Sequence, residues 1–339
     1  MKILFFMEHL YPLVGGAERA MDALFRGLSA KPDVEISYIC KSNYTDDALQ
    51  AVAASDIVVT QLNWGSRIVE ATKLQGKKSV FFVHSSESLC RVADVLEIAS
   101  YCGQLCRGCI YRESFKSRPD LIIANSRYTQ RFLLEQHELA SEIVYPCVDV
   151  LGVQTISSQR RFITMNQLSL HKGADIFLSI ARRMPQHSFR IVGYQSWEPE
   201  DGLPPNCHFA GVKDPRDYLS DTSVFLAPAR FKETFGRAII EARANSIPVI
   251  ASARGGALVD ELVPKHLLID DIDDVDLWVT KIREVLANYD AESDLAGALD
   301  FAPYSIEPNV ERFYRLLQGL LYGAPIQLTG HSSESPYRP

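Results

Sequence analysis

The sequence contains no apolar run that approaches the roughly 20 residues needed by a membrane-spanning helix. It also lacks a basic excess, since 35 Lys and Arg stand against 42 Asp and Glu, which gives a net charge of −7. Nucleic-acid-binding proteins usually carry a basic footprint, so this balance argues against one. The apolar N-terminal run ends at Glu8 and His9, and no small-residue cleavage site follows it. We therefore interpret that run as a buried strand and expect a cytoplasmic protein.

The length of 339 residues favours two domains with separate cores. Short β-branched apolar runs alternate with amphipathic stretches, a pattern typical of parallel strands joined by crossover helices. The alternation lapses into a polar interval around residues 148–161 and then resumes. We predict an α/β protein with two doubly wound parallel-sheet domains, residues 1–150 and 151–325, and a flexible tail at 326–339. The last predicted helix, 309–321, is compatible with packing on either domain.

Ligands of open α/β sheets bind at the carboxyl ends of the strands, so the predicted site is a cleft between the two domains. The most informative motif joins a predicted strand end to a helix start. Glu233 lies on the loop, Gly236 begins the helix and Glu241 follows. Helix N-termini bind phosphate through unpaired amides, and carboxylates accept hydrogen bonds from sugar hydroxyls. The pattern suits a nucleotide with a sugar at each end; alternatively, Glu233 only caps the helix and Glu241 is solvated.

The run from 227 to 242 resembles the Glu-x7-Glu signature of glycosyltransferase group 1, the retaining family 4 enzymes with the GT-B fold. Similar motifs follow the family's order elsewhere: Gly15-Gly16-Ala17-Glu18, Val83-His84-Ser85, Asn125-Ser126, Tyr145-Pro146-Cys147-Val148-Asp149, Lys172-Gly173-Ala174-Asp175 and Gly255-Gly256. The resemblance implies two Rossmann-like domains facing a central cleft, with the acceptor on the N-terminal domain and the nucleotide sugar on the C-terminal domain. It also implies hexosyl or related glycosyl transfer with retention of configuration, and no cofactor required for catalysis.

The resemblance assigns roles to individual residues. It implies that His84 hydrogen-bonds the donor sugar, that Lys172 neutralises the departing diphosphate, and that Glu233 holds sugar hydroxyls, which makes these three the catalytic set. It implies that Glu241 binds the ribose diol. The other donor-binding residues that it implies are Gly15, Gly16, Gln167, Thr234, Phe235 and Gly236. Structural alternatives remain for several of them, since glycines form ordinary turns, a lysine can be a surface residue and a histidine can be satisfied in the core.

Two departures from the family pattern affect the expected donor geometry. Many members carry Gly-Arg where this sequence has Asn166-Gln167, so a positive charge that binds the diphosphate is missing there. Ser246 stands where a Gly is expected, and we predict that the neighbouring Asn245 tolerates the left-handed conformation that ends the helix.

Four of the seven cysteines, Cys90, Cys102, Cys106 and Cys109, fall within twenty residues. On a helix, positions 102, 106 and 109 would share one face, which is consistent with a buried row of thiols. Four thiolates also suffice for a structural zinc ion or an iron–sulfur cluster. Both interpretations stay open, and no candidate set for a catalytic metal is evident.

Basic residues recur between positions 107 and 131. This strip is compatible with a peripheral contact to an anionic inner-membrane surface, with a phosphate-bearing acceptor, or with a solvated helix face. Its members are Arg107, Arg112, Lys116, Arg118, Arg127 and Arg131. Two further arginines near the Glu motif, Arg230 and Arg237, could add charge near a phosphate, but we expect both at the surface.

The preferred function is glycosyl transfer from a nucleotide sugar to a carbohydrate, lipid-linked or small-molecule acceptor, in glycan, polysaccharide, glycolipid or glycoside synthesis. A second hypothesis is a non-catalytic GT-B subunit that binds a nucleotide or glycan for a partner enzyme, and Gln167 is its best support. A third, an epimerase or phosphorylase on the same architecture, would require different signatures. The donor base and the oligomeric state are not readable from the sequence.

Overall fold

The computed structural model describes residues 1–7, 15–40, 46–61, 65–84, 118–156 and 159–323. These residues form two six-stranded sheets, and every strand pair is parallel. We call the parts of the chain built around the first and second sheet the N-terminal half and the C-terminal half. The predicted α/β class with two doubly wound sheets is confirmed.

The first sheet has the order β2-β1-β3-β4-β5-β6. Its strands are β1 (Lys2–Met7), β2 (Glu35–Cys40), β3 (Ile57–Gln61), β4 (Lys78–Val83), β5 (Leu121–Ala124) and β6 (Glu142–Ile143). Helices α1 (Gly16–Ser29), α2 (Asp46–Ala54), α3 (Gly65–Leu74) and α4 (Arg127–His137) cover it. Chain order reverses between β1 and β3, which places a topological switch point at the carboxyl end of β1.

The second sheet has the order β12-β11-β10-β7-β8-β9, which corresponds to the nucleotide-binding order 3-2-1-4-5-6 with its switch point between β7 and β10. Its strands are β7 (Phe162–Leu168), β8 (Ser188–Gln195), β9 (Cys207–Phe209), β10 (Thr222–Ala227), β11 (Val249–Ser252) and β12 (Leu268–Ile269). The helices are α5 (Ala174–Arg183), α6 (Pro215–Leu219), α7 (Arg237–Ala244), α8 (Val275–Ala287), α9 (Tyr289–Gly297) and α10 (Ile306–Tyr322).

Both faces of the first sheet are buried, because alternate side chains of a strand point to opposite sides. Ile3, Phe5 and Met7 of β1 join one apolar cluster with α1 and α10. Leu4 and Phe6 join another with α2 and α3. Strands buried on both faces are continuously apolar, and β1 confirms the buried strand predicted from the N-terminal apolar run.

The last helix, α10, packs on the N-terminal half although it follows the second sheet. Phe313 makes an edge-to-face contact with Phe82 at 5.0 Å between ring centroids. Gly27 of α1 allows the close approach, since a Cβ atom there would overlap the Val310 side chain. Of the two packing alternatives for this helix, the structure therefore shows the N-terminal one.

The helix end at 245–246 differs from the sequence prediction. Ser246, not Asn245, takes the left-handed conformation, with φ of +54° against −99° at Asn245. The Asn245 side chain instead donates to the carbonyls of Val153 and Glu241 and accepts from the Thr155 amide. These bonds hold Asn245 in place, so the chain reverses one residue later.

Some predictions lie outside the described residues. They include the tail 326–339 and all four clustered cysteines, Cys90, Cys102, Cys106 and Cys109. Of the basic strip, Arg118, Arg127 and Arg131 are described. Within the described ranges, none of the helices has the length and apolar character that a bilayer crossing requires.

Candidate functional site

A cleft of about 330 Å³ lies between the carboxyl ends of the two sheets. Every residue that the sequence predicts for the site contributes to its wall: Gly15, Gly16, His84, Gln167, Lys172, Glu233, Thr234, Phe235, Gly236 and Glu241. They come from segments that follow β1, β4, β7 and β10, so the topology gathers them at one edge. Their roles toward a ligand stay predictions.

Lys172 and Glu233 form an ion pair inside the cleft. The Lys172 Nζ atom donates to Glu233 Oε2 at 2.6 Å and lies 4.8 Å from the centre of the Phe231 ring. Gly173, the next residue, has a φ of +78°, and a Cβ atom there would overlap the Pro228 carbonyl oxygen. The glycine therefore lets the Lys172 loop lie directly on the loop that follows β10.

Glu233 is fixed from its other side by the glycine pair at 255–256. The Ala257 amide donates to the Glu233 carbonyl at 2.8 Å, and Glu233 and Gly256 form a parallel β-bridge. Gly256 has a φ of +84°, and a Cβ atom there would overlap the Glu233 carbonyl oxygen. The backbone of Glu233 is thus held by a contact that only glycine permits.

The amino end of α7 opens into the cleft. Its N-cap, Gly236, has a φ of +88° and no side chain with which to cap the first amides. Glu241 lies on the same helix and is only 4% exposed. Amides at a helix start carry a partial positive charge, so this end is suited to an anion.

Arg237 compensates the buried Glu241 charge. Its Nε atom donates to Glu241 Oε1 at 2.8 Å, and its Nη1 atom donates to the Cys147 carbonyl at 2.6 Å. Its side chain is 17% exposed and lines the cleft, so the prediction of a surface residue is wrong. Arg230, in contrast, pairs with Asp175 and Asp273 and is not part of the cleft wall.

His84 presents an unpaired ring nitrogen. The ring stacks on Phe82 at 5.5 Å, and Nε2 is buried without a hydrogen-bond partner among the described residues. Burial lowers the pKa of His84 to about 4, so the imidazole is neutral at pH 7. Since Nε2 of a neutral ring can donate or accept one hydrogen bond, it is available to a polar group in the cleft.

The backbone of His84 joins the two halves. Its carbonyl accepts from Thr234 Oγ1 at 2.8 Å and from Asn125 Nδ2 at 2.9 Å. Thr129 Oγ1 in turn donates to the Asn125 Oδ1 atom at 2.7 Å. Thr234 of the Glu motif therefore touches the N-terminal half directly, a contact that the sequence motifs do not reveal.

A second contact between the halves centres on Glu261, in a π-helical turn over Leu258–Leu262. Its two carboxylate oxygens accept from the Arg127 amide at 2.9 Å and from the Tyr145 hydroxyl at 2.6 Å. Burial raises the pKa of Glu261, and these two hydrogen bonds oppose the rise. Arg131 and Asp260 add an ion pair at 2.6 Å beside it.

Comparisons with known proteins agree with this geometry. Residues 159–288 match the family model described as "Glycosyl transferases group 1". This range contains the whole second sheet and the Glu motif. No curated protein matches the chain in sequence. The computed structure superposes on HepE from Anabaena with a TM-score of 0.73 at 17% identity, over 94% of this chain and 100% of HepE.

Two further solved structures are similar. Sucrose-phosphate synthase from Thermosynechococcus elongatus gives a TM-score of 0.74 at 16% identity, over 96% of this chain and 100% of that one. A glycosyltransferase from Rickettsia africae gives 0.65 at 14% identity, over 94% of this chain and 98% of that one. The fold is GT-B. The family match and this fold support a glycosyltransferase.

The GT-B cleft also contains polar residues that the sequence analysis missed. Arg19, Lys213 and Tyr218 line it beside the predicted set. Arg19 directly follows the Gly15-Gly16-Ala17-Glu18 motif, so its position at the start of the first helix is a signal from which the sequence could have predicted it. Lys213 lies just before α6 and Tyr218 lies within it. This segment carries no motif, so only the fold brings the two residues to the cleft.

The GT-B structure offers no metal centre in the part of the chain that it describes, because no three His, Cys, Asp or Glu side chains there are grouped to hold an ion. Cys40, Cys147 and Cys207 are free thiols. The four clustered cysteines lie outside the described residues, so both of their interpretations stay predictions.

Proposed function

We propose that this protein is a retaining glycosyltransferase of family 4, which transfers a sugar from a nucleoside-diphosphate sugar to an acceptor hydroxyl. The observation that carries the proposal is the pair of carboxylates on either side of the open α7 amino end. Glu233 is bound to Lys172 at 2.6 Å and Glu241 to Arg237 at 2.8 Å, all within one GT-B cleft. The two carboxylates match the sugar and ribose at the ends of such a donor, and the cations and helix amides between them match its diphosphate.

Each part of the donor has a matching group in the cleft. Glu241 accepts hydrogen bonds from the ribose hydroxyls, and the α7 amides with Lys172 bind the diphosphate. Glu233 keeps one carboxylate oxygen for the sugar, because Lys172 contacts only the other. His84 Nε2 supplies one more hydrogen bond to the sugar, since it has no partner among the described residues.

Transfer with retention is best explained by attack on the same face of the donor. The bond between the sugar C1 atom and the diphosphate oxygen breaks, and the acceptor oxygen bonds to C1. The acceptor proton passes to an oxygen of the leaving diphosphate, so no protein base is needed. Lys172 and the α7 amides stabilise the charge that develops on the leaving group, and the cleft positions both partners. We expect turnover without an added metal or other cofactor.

UDP-glucose is the first donor to test. HepE has been solved with UDP and with UDP-glucose, and its fold is similar to that of this chain. We propose a carbohydrate, lipid-linked or small-molecule acceptor bound by the N-terminal half. We further propose that the protein works in the cytoplasm, free or at the inner membrane face.

The test combines donor hydrolysis with site variants. Release of nucleoside diphosphate is measured with UDP-, GDP-, ADP-, dTDP- and CDP-sugars, and the anomeric configuration of any product is read by NMR. We expect turnover with one donor class, retained configuration, and strong losses in Lys172→Ala and Glu233→Gln. Lys281→Ala is a matched control, because Lys281 forms a 2.6 Å ion pair with Glu284 that does not line the cleft.

Near-wild-type turnover in both cleft variants would contradict the assignment. Tight binding of a nucleoside diphosphate without turnover of any sugar nucleotide would instead favour the non-catalytic subunit, the hypothesis that the neutral Gln167 supports.

A further inference from the structure

Among the described residues that line the cleft, the charges do not cancel. Four cations, Arg19, Lys172, Lys213 and Arg237, accompany two carboxylates, Glu233 and Glu241. His84 is neutral at pH 7, since burial lowers its pKa to about 4. The described part of the wall therefore has a net charge of +2, equal in size to the two negative charges of a diphosphate esterified at both ends.

The four cations differ in how they are paired. Lys172 and Arg237 each hold a cleft carboxylate, at 2.6 and 2.8 Å. Within the described residues, Arg19 and Lys213 have no side-chain hydrogen bond or ion pair. Lys213 is exposed to solvent, whereas Arg19 is half-buried. Because water screens an exposed charge, Arg19 is the stronger of the two unpaired cations for a ligand in the cleft.

Arg19 lies where the two halves come together. Its amide donates to the carbonyl of Gly15, the N-cap of α1, at 3.3 Å. A Cβ atom on Gly16 would be 3.8 Å from the Arg237 Cδ atom, so the start of α1 abuts Arg237 across the cleft. The pKa of Asp214, on the opposite half, is lowered mainly by Arg216, and the charge of Arg19 adds to the effect.

The cation that the family pattern places on the opposite wall is missing at Gln167. Gln167 is the penultimate residue of β7, and its backbone is left-handed, with φ of +72°. Its amide side chain is neutral, although the resemblance places an arginine at this position. Arg19 thus offers, from the N-terminal half, the guanidinium that position 167 lacks.

We propose that Arg19 binds the diphosphate of the donor and replaces the cation that is missing at Gln167. The inference rests on the proposed function and adds a residue to it. A guanidinium suits the task because its planar donors can bind two phosphate oxygens at once. When the C1–oxygen bond breaks, the leaving group gains one negative charge, so Arg19 stabilises the products of that step as well as the bound donor.

The test compares a nucleoside diphosphate with its nucleoside. Calorimetry first identifies which of UDP, GDP, ADP, dTDP and CDP binds the wild-type protein most tightly. Arg19→Gln is then expected to lower the affinity for that nucleoside diphosphate by about 10- to 100-fold, the usual loss for a hydrogen bond to a charged group. Affinity for the nucleoside alone should stay within about twofold, because the proposed contact of Arg19 is with the diphosphate only.

Two further variants sharpen the comparison. The double variant R19Q/Q167R should recover most of the lost affinity, because it moves the guanidinium to the other wall. Arg26→Gln is the matched control, since Arg26 lies on the same helix but pairs with Asp22 at 3.0 Å and does not line the cleft. If R19Q does not fold, Arg19→Lys keeps the charge without the two-pronged geometry, and a selective loss of diphosphate affinity is still expected.

Unchanged diphosphate affinity in a folded Arg19 variant would overturn the inference, and so would equal losses for diphosphate and nucleoside. If the wild-type protein binds none of the nucleoside diphosphates, the proposed function fails instead. The two failures are therefore distinguishable.

Discussion

Lys172 Nζ and Glu233 Oε2 lie 2.6 Å apart, although the two residues belong to loops that follow different strands, β7 and β10. The family resemblance implies separate tasks for them, one at the diphosphate and one at the sugar. The contact makes them a single unit in which each side chain holds the other in position.

We therefore predict strong non-additivity between the two. Lys172→Ala and Glu233→Ala should each lower kcat by about 10²- to 10³-fold, the usual cost of removing one stabilising group at a transition state. The kcat of the double variant should be little lower than that of the less active single variant, because either change alone already removes the Lys172–Glu233 pair. Steady-state kinetics on the four proteins measures this coupling. Losses that multiply would show that the residues act independently.

A second prediction concerns the buried Glu241 carboxylate. Arg237→Met removes its counter-charge while Glu241 stays only 4% exposed. An unpaired buried charge costs about 3–5 kcal/mol, so we expect a loss of that order in the free energy of unfolding. The double variant R237M/E241M should regain most of this stability, since no charge is then left unpaired. Urea unfolding measures both.

Nucleotide binding by the same double variant tests the proposed role of Glu241 independently of its effect on stability. R237M/E241M should stay unable to bind the nucleoside diphosphate, because the proposed ribose acceptor is gone. A double variant that is stable and binds normally would refute the role proposed for Glu241.

The third prediction is a pH dependence of stability caused by His84. Burial lowers the pKa of the folded ring to about 4, below the ordinary value of 6.5. The unfolded chain therefore binds a proton first as the pH falls, and the stability present above pH 6.5 is lost between pH 6.5 and 4. The slope from this group is at most about 1.4 kcal/mol per pH unit.

His84→Phe keeps an aromatic ring on Phe82 but cannot titrate. Its free energy of unfolding should fall less steeply from pH 6.5 to 5 than that of the wild type, while the two proteins differ little in slope above pH 7. Denaturant unfolding at pH 5, 6.5 and 8 measures the slopes. Equal slopes at acid pH would mean that His84 titrates normally in the folded protein.

A fourth prediction tests the glycine beside Lys172. Gly173→Ala combines a left-handed backbone, φ of +78°, with an overlap on the Pro228 carbonyl. Gly76→Ala is the matched control, because Gly76 has a similar φ of +68° but no atom within 4 Å of the added Cβ. The control should lose about 1–2 kcal/mol for backbone strain alone. The Gly173 variant should lose more and also turn over more slowly, since Lys172 must shift; thermal melts and kinetics compare the two.

Much of the fold follows from local pattern. The sequence pattern predicts strands at 56–62 and 79–83, and the structure has β3 at Ile57–Gln61 and β4 at Lys78–Val83. The agreement follows because the apolar runs are almost unbroken and these strands are buried on both faces. The strands β9 and β12 escape prediction since they have only three and two residues, too few to show a period. The Asn245 prediction is wrong because three tertiary hydrogen bonds outweigh the residue's local preference for a left-handed helix end.

The residues of the site also divide into those that the sequence predicts and those that only the structure reveals. Residues within motifs, such as Glu233 and Glu241, can be placed in the cleft from sequence alone. The sequence alone predicts Arg237 at the surface. Its burial involves a hydrogen bond to the Cys147 carbonyl, ninety positions earlier in the chain, which local pattern does not reveal. Arg19 directly follows the Gly15-Gly16-Ala17-Glu18 motif, but only the approach of the two sheets shows that it lines the same cleft as Glu233 and Glu241.

The return of α10 to the N-terminal half makes the chain cross between the halves twice. The two crossings lie side by side, since Val148 and Ser305 form a β-bridge and the Val148 amide donates to the Tyr304 carbonyl at 2.9 Å. Two adjacent connections restrain the relative orientation of the halves more than a single connection would. This restraint favours the alignment that the Thr234 and Glu261 contacts between the halves require.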